Sequence, residues 1–376
     1  MAISTLQTHA KLGFGGVRRT FDMRVTRADI LDPFFAVYRS TNRLIARTTS
    51  AAALKAQDRS RACRFFFVLH NANHFNILHP SMVQIANAGF DVCAVVLPNR
   101  RDYPVVRNCL NEAGIADVPV TELPTQVGIG DVVCTCSDGG PPELRAALGS
   151  VARRGAHLVG VVEGARYSRR QFQRAHTVLC WGPSGEELWR ARARIAGSPI
   201  IEGAHGRSRV SADLRHVLIN YKFQPGETDH DFAWAHAAID AARGIDPNTL
   251  VSVHPRTYDV PSGLTPANQS LNELLPQASL LVSRASTVIY EALAMNIPVI
   301  YFPAPGENRA EFADFGATFP VAETAQELID ACAAFARHET SFANPASFLD
   351  QHLSIDPNRS ASARISDYLL QLAGGT

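Results

Sequence analysis

Two short apolar runs, Leu280–Val282 and Val299–Phe302, flank a segment in which Val288, Ile289, Ala292, Leu293 and Met295 recur at helical spacing. Runs of that length around a helix read as buried parallel strands joined by a crossover. The polar joint Ser283-Arg284-Ala285-Ser286-Thr287 then falls where a strand ends and a helix begins. Exposed N–H groups and the helix dipole favour an anion at such a place. Glu291 lies one turn beyond Thr287 on nearly the same helix face, set back from the joint. A carboxylate there suits a ribose diol; the plainer alternative is that Ser283 or Ser286 caps the helix and Glu291 is solvated.

The same alternation runs through most of the chain. Strands are predicted at Cys63–Leu69, Val92–Leu97, Asp131–Cys136, His157–Val162, Thr177–Trp181 and Ser198–Glu202, with helices at His79–Ala88, Pro142–Arg153, Ser168–Arg174 and Glu186–Ile195. These make a first domain over 62–205. A second, 206–340, is predicted from strands at His216–Tyr221 and Leu250–Val253, a helix at Asp231–Arg243, the stretch above, a strand at Ala317–Phe319 and a helix at Ala325–Ala336. A tail, 341–376, carries a helical pattern at Ala361–Leu372. Strands alternating with helices imply α/β architecture with a parallel sheet in each domain.

Residues 1–61 have no strand pattern, and only Ile30–Ala46 carries enough apolar positions for an amphipathic helix. This arm holds eleven Lys or Arg against four Asp, so the near-zero charge of the whole, +1, hides an excess of +7 here and −6 elsewhere. A basic arm can lie on an anionic membrane surface, at about 1 kcal/mol per basic residue. It can equally pack on the domain or on a second subunit, giving a homodimer. With the charge otherwise balanced, no nucleic-acid partner is expected.

At 376 residues the chain suits two domains of ordinary size. No apolar run approaches the roughly 20 residues of a membrane-spanning helix. No charged start leads into an apolar stretch with a small-residue cleavage site, so a cytoplasmic protein is expected, at most touching the inner face of the membrane. The seven cysteines sit mostly in strand-like runs, and Cys134-Thr135-Cys136 is their only close pair. Buried thiols are expected and no metal site.

Polar residues repeatedly land at the carboxyl ends of the predicted strands, the rim where open α/β sheets bind ligands. They include His70-Asn71-Ala72-Asn73-His74-Phe75-Asn76, Ser137-Asp138-Gly139-Gly140 and Glu163-Gly164 in the first domain, and Asn220, Lys222 and His254-Pro255-Arg256 in the second. His254 and Arg256 end a strand expected to neighbour the one ending at Ser283, so both would face one ligand. Arg256 offers a planar fork of donors and His254 a proton or hydrogen bond, which suits a departing phosphate.

The run SRASTVIYEALAMNIPVIYFPAP resembles the donor-nucleotide segment of GT-B glycosyltransferases, especially the peptidoglycan N-acetylglucosaminyltransferase type, in its serine-rich turn and in a Glu seven residues before a Pro (Glu291, Pro298). The resemblance implies two Rossmann-like domains about a cleft. It also implies that Ser283, Arg284, Ser286 and Thr287, with Lys222, hold the diphosphate and Glu291 the ribose. Glu307, Asn308 and Glu311 would hold the donor sugar. A His-Pro pair followed about thirty residues later by a Ser and Ser/Thr motif resembles bacterial sialyltransferases and capsule Kdo transferases, which use CMP-sugars. In that group an acid followed by Gly in the first domain is the base. Glu163-Gly164 matches this, with Val162 where the group usually has a second acid; Asp138, before Gly139, and His74 compete.

The expectation is an enzyme that moves a sugar from a UDP- or CMP-activated donor to a hydroxyl acceptor, inverting and metal-independent, in surface polysaccharide or glycolipid synthesis. The acceptor, a saccharide or a lipid-linked sugar, would meet His70, Asn71 and Asn73, and no cofactor beyond the nucleotide-sugar substrate is implied. Non-hydrolysing UDP-GlcNAc 2-epimerases share the architecture, but their His-Arg signature is replaced here by Asn220-Tyr221-Lys222-Phe223. An inactive nucleotide-sugar-binding scaffold subunit is the third alternative.

Overall fold

The computed structural model describes residues 63–97, 103–164, 171–205, 216–223, 232–254, 257, 260, 266–307, 319–339 and 346–374. All belong to one compact unit, Gln57–Thr376. The arm at 1–61 and its helix at Ile30–Ala46 lie outside the described residues, as do Arg256, Asn308 and Glu311.

Seven parallel strands form the first sheet: β1 Arg64–Leu69, β2 Asp91–Val96, β3 Ala116–Pro119, β4 Val132–Thr135, β5 His157–Val161, β6 Thr177–Cys180 and β7 Ala193–Ile195, in the order β3-β2-β1-β4-β5-β6-β7. Strands such as Phe65–Leu69 and Val132–Thr135 are buried along their length, as a sheet covered on both faces requires. Four parallel strands form the second: β8 His216–Tyr221, β9 Leu250–Val253, β10 Ala278–Ser283 and β11 Val299–Tyr301, in the order β11-β10-β8-β9. In each sheet the order reverses about the first strand. The switch point lies between β1 and β4 in one and between β8 and β10 in the other, where such folds place ligands.

The helices are α1 Ala72–Asn87, α2 Tyr103–Glu112, α3 Leu123–Gln126, α4 Pro142–Arg153, α5 Pro183–Trp189, α6 Pro199–His205, α7 Ala233–Arg243, α8 Leu271–Leu274, α9 Val288–Ala294, α10 Ala325–Ala336, α11 Ala346–His352 and α12 Ala361–Gly374. The two sheets meet through Trp181, after β6, and Tyr290, on α9. Both are fully buried, and their rings meet edge to face with centroids 5.7 Å apart. The Trp181 indole N–H donates to the Val162 carbonyl at 2.9 Å, and Tyr290 also stacks on Phe348 of α11. His205 bonds the Ala294 carbonyl at 3.1 Å.

The last residues return to the first sheet. Ile365 and Leu369 of α12 join a core that includes Phe65, Phe67, Ile77 and Met82. Ser81 donates to the Ser362 carbonyl at 3.0 Å, and Arg364 pairs with Glu202. Gly182 lets the chain pass: a β-carbon there would lie 2.6 Å from the His352 carbonyl carbon.

Several expected boundaries are corrected. The helix expected at His79–Ala88 begins at Ala72, because Asn71 caps it by accepting the His74 N–H at 3.0 Å. His70–Asn76 is therefore a helix start, with Pro80 inside the helix. The helix expected at Glu186–Ile195 ends at Trp189, and Ala193–Ile195 is the sheet's last strand. Ser198–Glu202, expected as a strand, enters α6, with Pro199 in the first turn and Ser198 Oγ accepting the Ile201 N–H. Residues 171–174 of the expected helix at Ser168–Arg174 are turn and bend rather than helix, and the rest of it lies outside the described residues. Among the described residues no helix is long and apolar enough to cross a membrane.

Candidate active site

Three loops meet at the switch point of the first sheet. Gly140, after β4, has φ +94°, and a β-carbon there would lie 3.1 Å from His70 Cε1. The first turn of α1 turns His74 inward until it is 1% exposed, and its Nε2 stands 2.8 Å from Glu163 Oε2 at the end of β5. The other ring nitrogen, Nδ1, accepts the His70 backbone N–H at 3.3 Å. A nitrogen that accepts keeps its lone pair, so the ring proton sits on Nε2 and is donated to the carboxylate.

Glu163 remains 30% exposed. Burial opposes its ionisation. Hydrogen bonds from His74 and Asn73, with the charge of His70, outweigh burial and hold its carboxyl below the ordinary value. The site thus contains a partly accessible, ionised carboxylate gripped by a buried imidazole. His70 and Asn71 are half-buried and Asn73 is exposed. His70 and Asn71, with Leu69, Val96, Leu97, Tyr103 and Val106, also line a small surface depression at the ends of β1 and β2.

Asp138, the second candidate base, is fully buried. Its carboxylate accepts the backbone N–H groups of Gln173 at 2.9 Å, Ala175 at 3.0 Å and Arg174. Burial pushes its carboxyl up and these bonds partly offset it. The candidacy is corrected: Asp138 clamps the 171–175 turn and presents no surface to a ligand.

In the second sheet the hydroxyl joint follows β10 at the switch point beside β8. Ser283 is fully buried, accepting from Asn220 Nδ2 at 3.0 Å and donating to the Arg284 carbonyl at 2.7 Å. Arg284 is also buried; its Nε donates to Glu307 Oε2 at 2.7 Å, its Nη1 to the Lys222 carbonyl at 3.1 Å, and it covers the Phe223 ring at 4.4 Å. Glu307 further accepts from the Tyr301 hydroxyl and the Ala285 N–H, both at 2.8 Å. Burial would raise its carboxyl, but the Arg284 charge and these bonds hold it below the ordinary value. Arg284 and Glu307 form an internal strut that fixes the joint, and in this arrangement neither reaches a phosphate or a sugar. Glu291 is buried on α9, 7% exposed.

Ser286 and Thr287 are half-buried, and their hydroxyls bond no described residue. Lys222 and His254 are half-buried at the ends of β8 and β9. The expected neighbourhood of β9 and β10 is corrected: β8 lies between them, in register Ser283–Asn220–Ser252. At about 4.8 Å per strand, His254 starts roughly 10 Å from the joint. The loops after β5 and β10 approach at Gly164 and Thr287, where a β-carbon on Gly164 would lie 3.5 Å from the Thr287 hydroxyl oxygen. Sequence reasoning named both loops but not their contact, for which the absent side chain at Gly164 was the only signal. Among the described residues no three His, Cys, Asp or Glu side chains converge as a metal would require.

Two parallel sheets of this kind, with the terminal helix returning to the first, make up a GT-B glycosyltransferase-like fold. No family model and no curated protein sequence matches the chain. Solved structures do. The UDP-GlcNAc 2-epimerase of Neisseria meningitidis bound to UDP-GlcNAc is similar at TM-score 0.57 and 11% identity, over 82% of this chain and 100% of that one. Acinetobacter baumannii MurG is similar at TM-score 0.51 and 12% identity, over 82% and 99%. The wall teichoic acid polymerase TagF is similar at TM-score 0.50 and 11% identity, over 92% and 98%.

Proposed function

We propose that the chain is a glycosyltransferase that moves a sugar from a nucleotide-activated donor, UDP- or CMP-linked, to a hydroxyl acceptor. The observation that carries this reading is the approach of Gly164 to Thr287, which sets the ionised Glu163 beside a joint with two unengaged hydroxyls. In the reaction Glu163 takes the acceptor proton as the acceptor oxygen attacks the anomeric carbon. The joint, with Ser286 and Thr287, takes the charge that grows on the departing phosphate. The substrate is the nucleotide sugar itself, and no resident cofactor enters this scheme. The basic excess before Ala62 supports an acceptor presented at an anionic surface, as in polysaccharide or glycolipid synthesis.

A thermal-shift comparison of UDP, CMP, CDP and GDP tests the donor half. A nucleotide at a hundred times its dissociation constant stabilises the protein by about 2.7 kcal/mol. The expected result is a rise in Tm with one of them that is lost in a Ser286→Ala, Thr287→Val double variant; no rise with any nucleotide sinks the reading. Epimerisation is the second reading, since a UDP-GlcNAc 2-epimerase shares this fold. UDP-ManNAc formed from UDP-GlcNAc with no acceptor present would establish it instead.

A further inference from the structure

We propose that His74 is a positioning residue: a neutral imidazole, locked with its proton on Nε2, that holds Glu163 in place to act as the base. The inference rests on the transferase reading and adds the role of a second residue. Burial keeps His74 from touching an acceptor, since 1% of it is exposed against 30% of the Glu163 side chain. Its ring is fixed from both ends, by the His70 N–H on Nδ1 at 3.3 Å and by Glu163 Oε2 at 2.8 Å from Nε2. Its own backbone N–H is tied to the Asn71 cap at 3.0 Å, which fixes the stretch of backbone that carries the ring. The usual order of a carboxylate orienting a histidine base is inverted: here the carboxylate is terminal and the histidine supports it.

In the step itself the Glu163 carboxylate accepts the acceptor's hydroxyl proton, the acceptor oxygen bonds the anomeric carbon, and the nucleotide leaves with the electron pair of the broken C–O bond. His74 neither gains nor loses a proton. It keeps the carboxylate ionised and aimed. The titratable groups facing Glu163 are His74 and His70 from the loop after β1 and the Cys136 thiol at the end of β4. The Cys136 thiol is buried and pushed well up, so it stays protonated.

The test has two arms on the full chain. Nitrogen-15 NMR of histidine-labelled protein near pH 7 is expected to show an Nε2–H tautomer that disappears in His74→Ala and shifts in Glu163→Gln. An Nδ1–H tautomer, an imidazolium, or a signal indifferent to Glu163→Gln overturns the proposal. The second arm follows nucleotide release from UDP-GlcNAc or CMP-sialic acid, with water as the acceptor, across pH. His74→Ala is expected to lower kcat between about tenfold and a hundredfold with KM held. It also removes a partner that lowers the Glu163 value, so the acid limb of the profile moves to higher pH; His74→Gln, which keeps an amide donor, moves it back. An unmoved acid limb in His74→Ala overturns the proposal. If neither donor is turned over by the unaltered protein, the transferase reading fails and the NMR arm still decides the state of His74.

Discussion

A β-carbon placed on Gly164, at the end of a strand in one sheet, would lie 3.5 Å from the hydroxyl oxygen of Thr287, which opens a helix beside the other. At 3.5 Å a methyl group makes ordinary van der Waals contact. Gly164→Ala is therefore expected to bind nucleotide and turn over within about twofold of the unaltered protein. Gly164→Val separates the two loops and is expected to lower turnover at least about tenfold, equivalent to about 1.4 kcal/mol. Unaltered turnover in Gly164→Val, with folding verified, would dissociate this contact from function.

Asp138 and Glu163 should separate cleanly by what their amides do. Asp138→Asn replaces an acceptor of three backbone N–H groups with a group that can satisfy fewer, at a cost of about 1–3 kcal/mol in urea unfolding. Glu163→Gln changes a half-buried surface carboxylate and is expected to stay within about 1 kcal/mol while losing turnover between about a hundredfold and ten-thousandfold. Full activity in Glu163→Gln removes it as the base.

Glu307→Gln removes the carboxylate charge that the buried Arg284 meets at 2.7 Å, with an expected loss of about 3–5 kcal/mol in denaturant unfolding. The folded value of Glu307 lies below its unfolded one, so its stabilisation is present above the unfolded carboxylate value and is lost as pH falls through the folded one. The variant's stability should accordingly fall less steeply than the parent's on acidification. Parallel curves would show that the pair is not ionised as described.

His157 predicts a second acid sensitivity. Burial, and then the neighbouring His176, lower its value from 6.5 to about 4. A folded value below the unfolded one gives stability that is complete above pH 6.5 and is lost as pH falls toward 4, by at most about 3 kcal/mol. His157 bonds Thr177, and Thr177 bonds the Tyr368 hydroxyl of α12 at 2.9 Å. Hydrogen exchange across α12 is thus expected to quicken in that window, and a His157→Gln variant to flatten the response.

Trp181→Phe removes the indole donor and leaves the Val162 carbonyl without it, at an expected cost of about 1–3 kcal/mol. Trp181→Ala also opens a cavity beside Tyr290 and should cost about 3–5 kcal/mol in calorimetry. Equal losses in the two variants would mean that the hydrogen bond, not packing, dominates this contact.

What the sequence disclosed followed the strength of its periodicity. Buried parallel strands such as Phe65–Leu69 and Leu280–Ser283 are continuous apolar runs, and they were legible. The start of α1 was not, because its first turn is polar and the histidine within a helix appears as a loop residue until Asn71 is seen to cap it. Ala193–Ile195 was hidden by its three-residue length. At the site, residue types were readable but pairings were not. Glu163 and His74 stood as rivals 89 positions apart, and folding makes them partners at 2.8 Å. Arg284 looked like a phosphate ligand because nothing local announces that Glu307, after an intervening helix and strand, neutralises it.

The return of α12 to the first sheet fixes an order of events during synthesis. Ile365 and Leu369 close a core whose first members, beginning with Phe65, leave the ribosome some three hundred residues earlier. Until the last helix emerges, the apolar face beside Ile77 and Met82 has no cover of its own. Nascent chains halted before Ala361 are accordingly expected to be clients of hydrophobe-binding chaperones, and release of the final segment to free them.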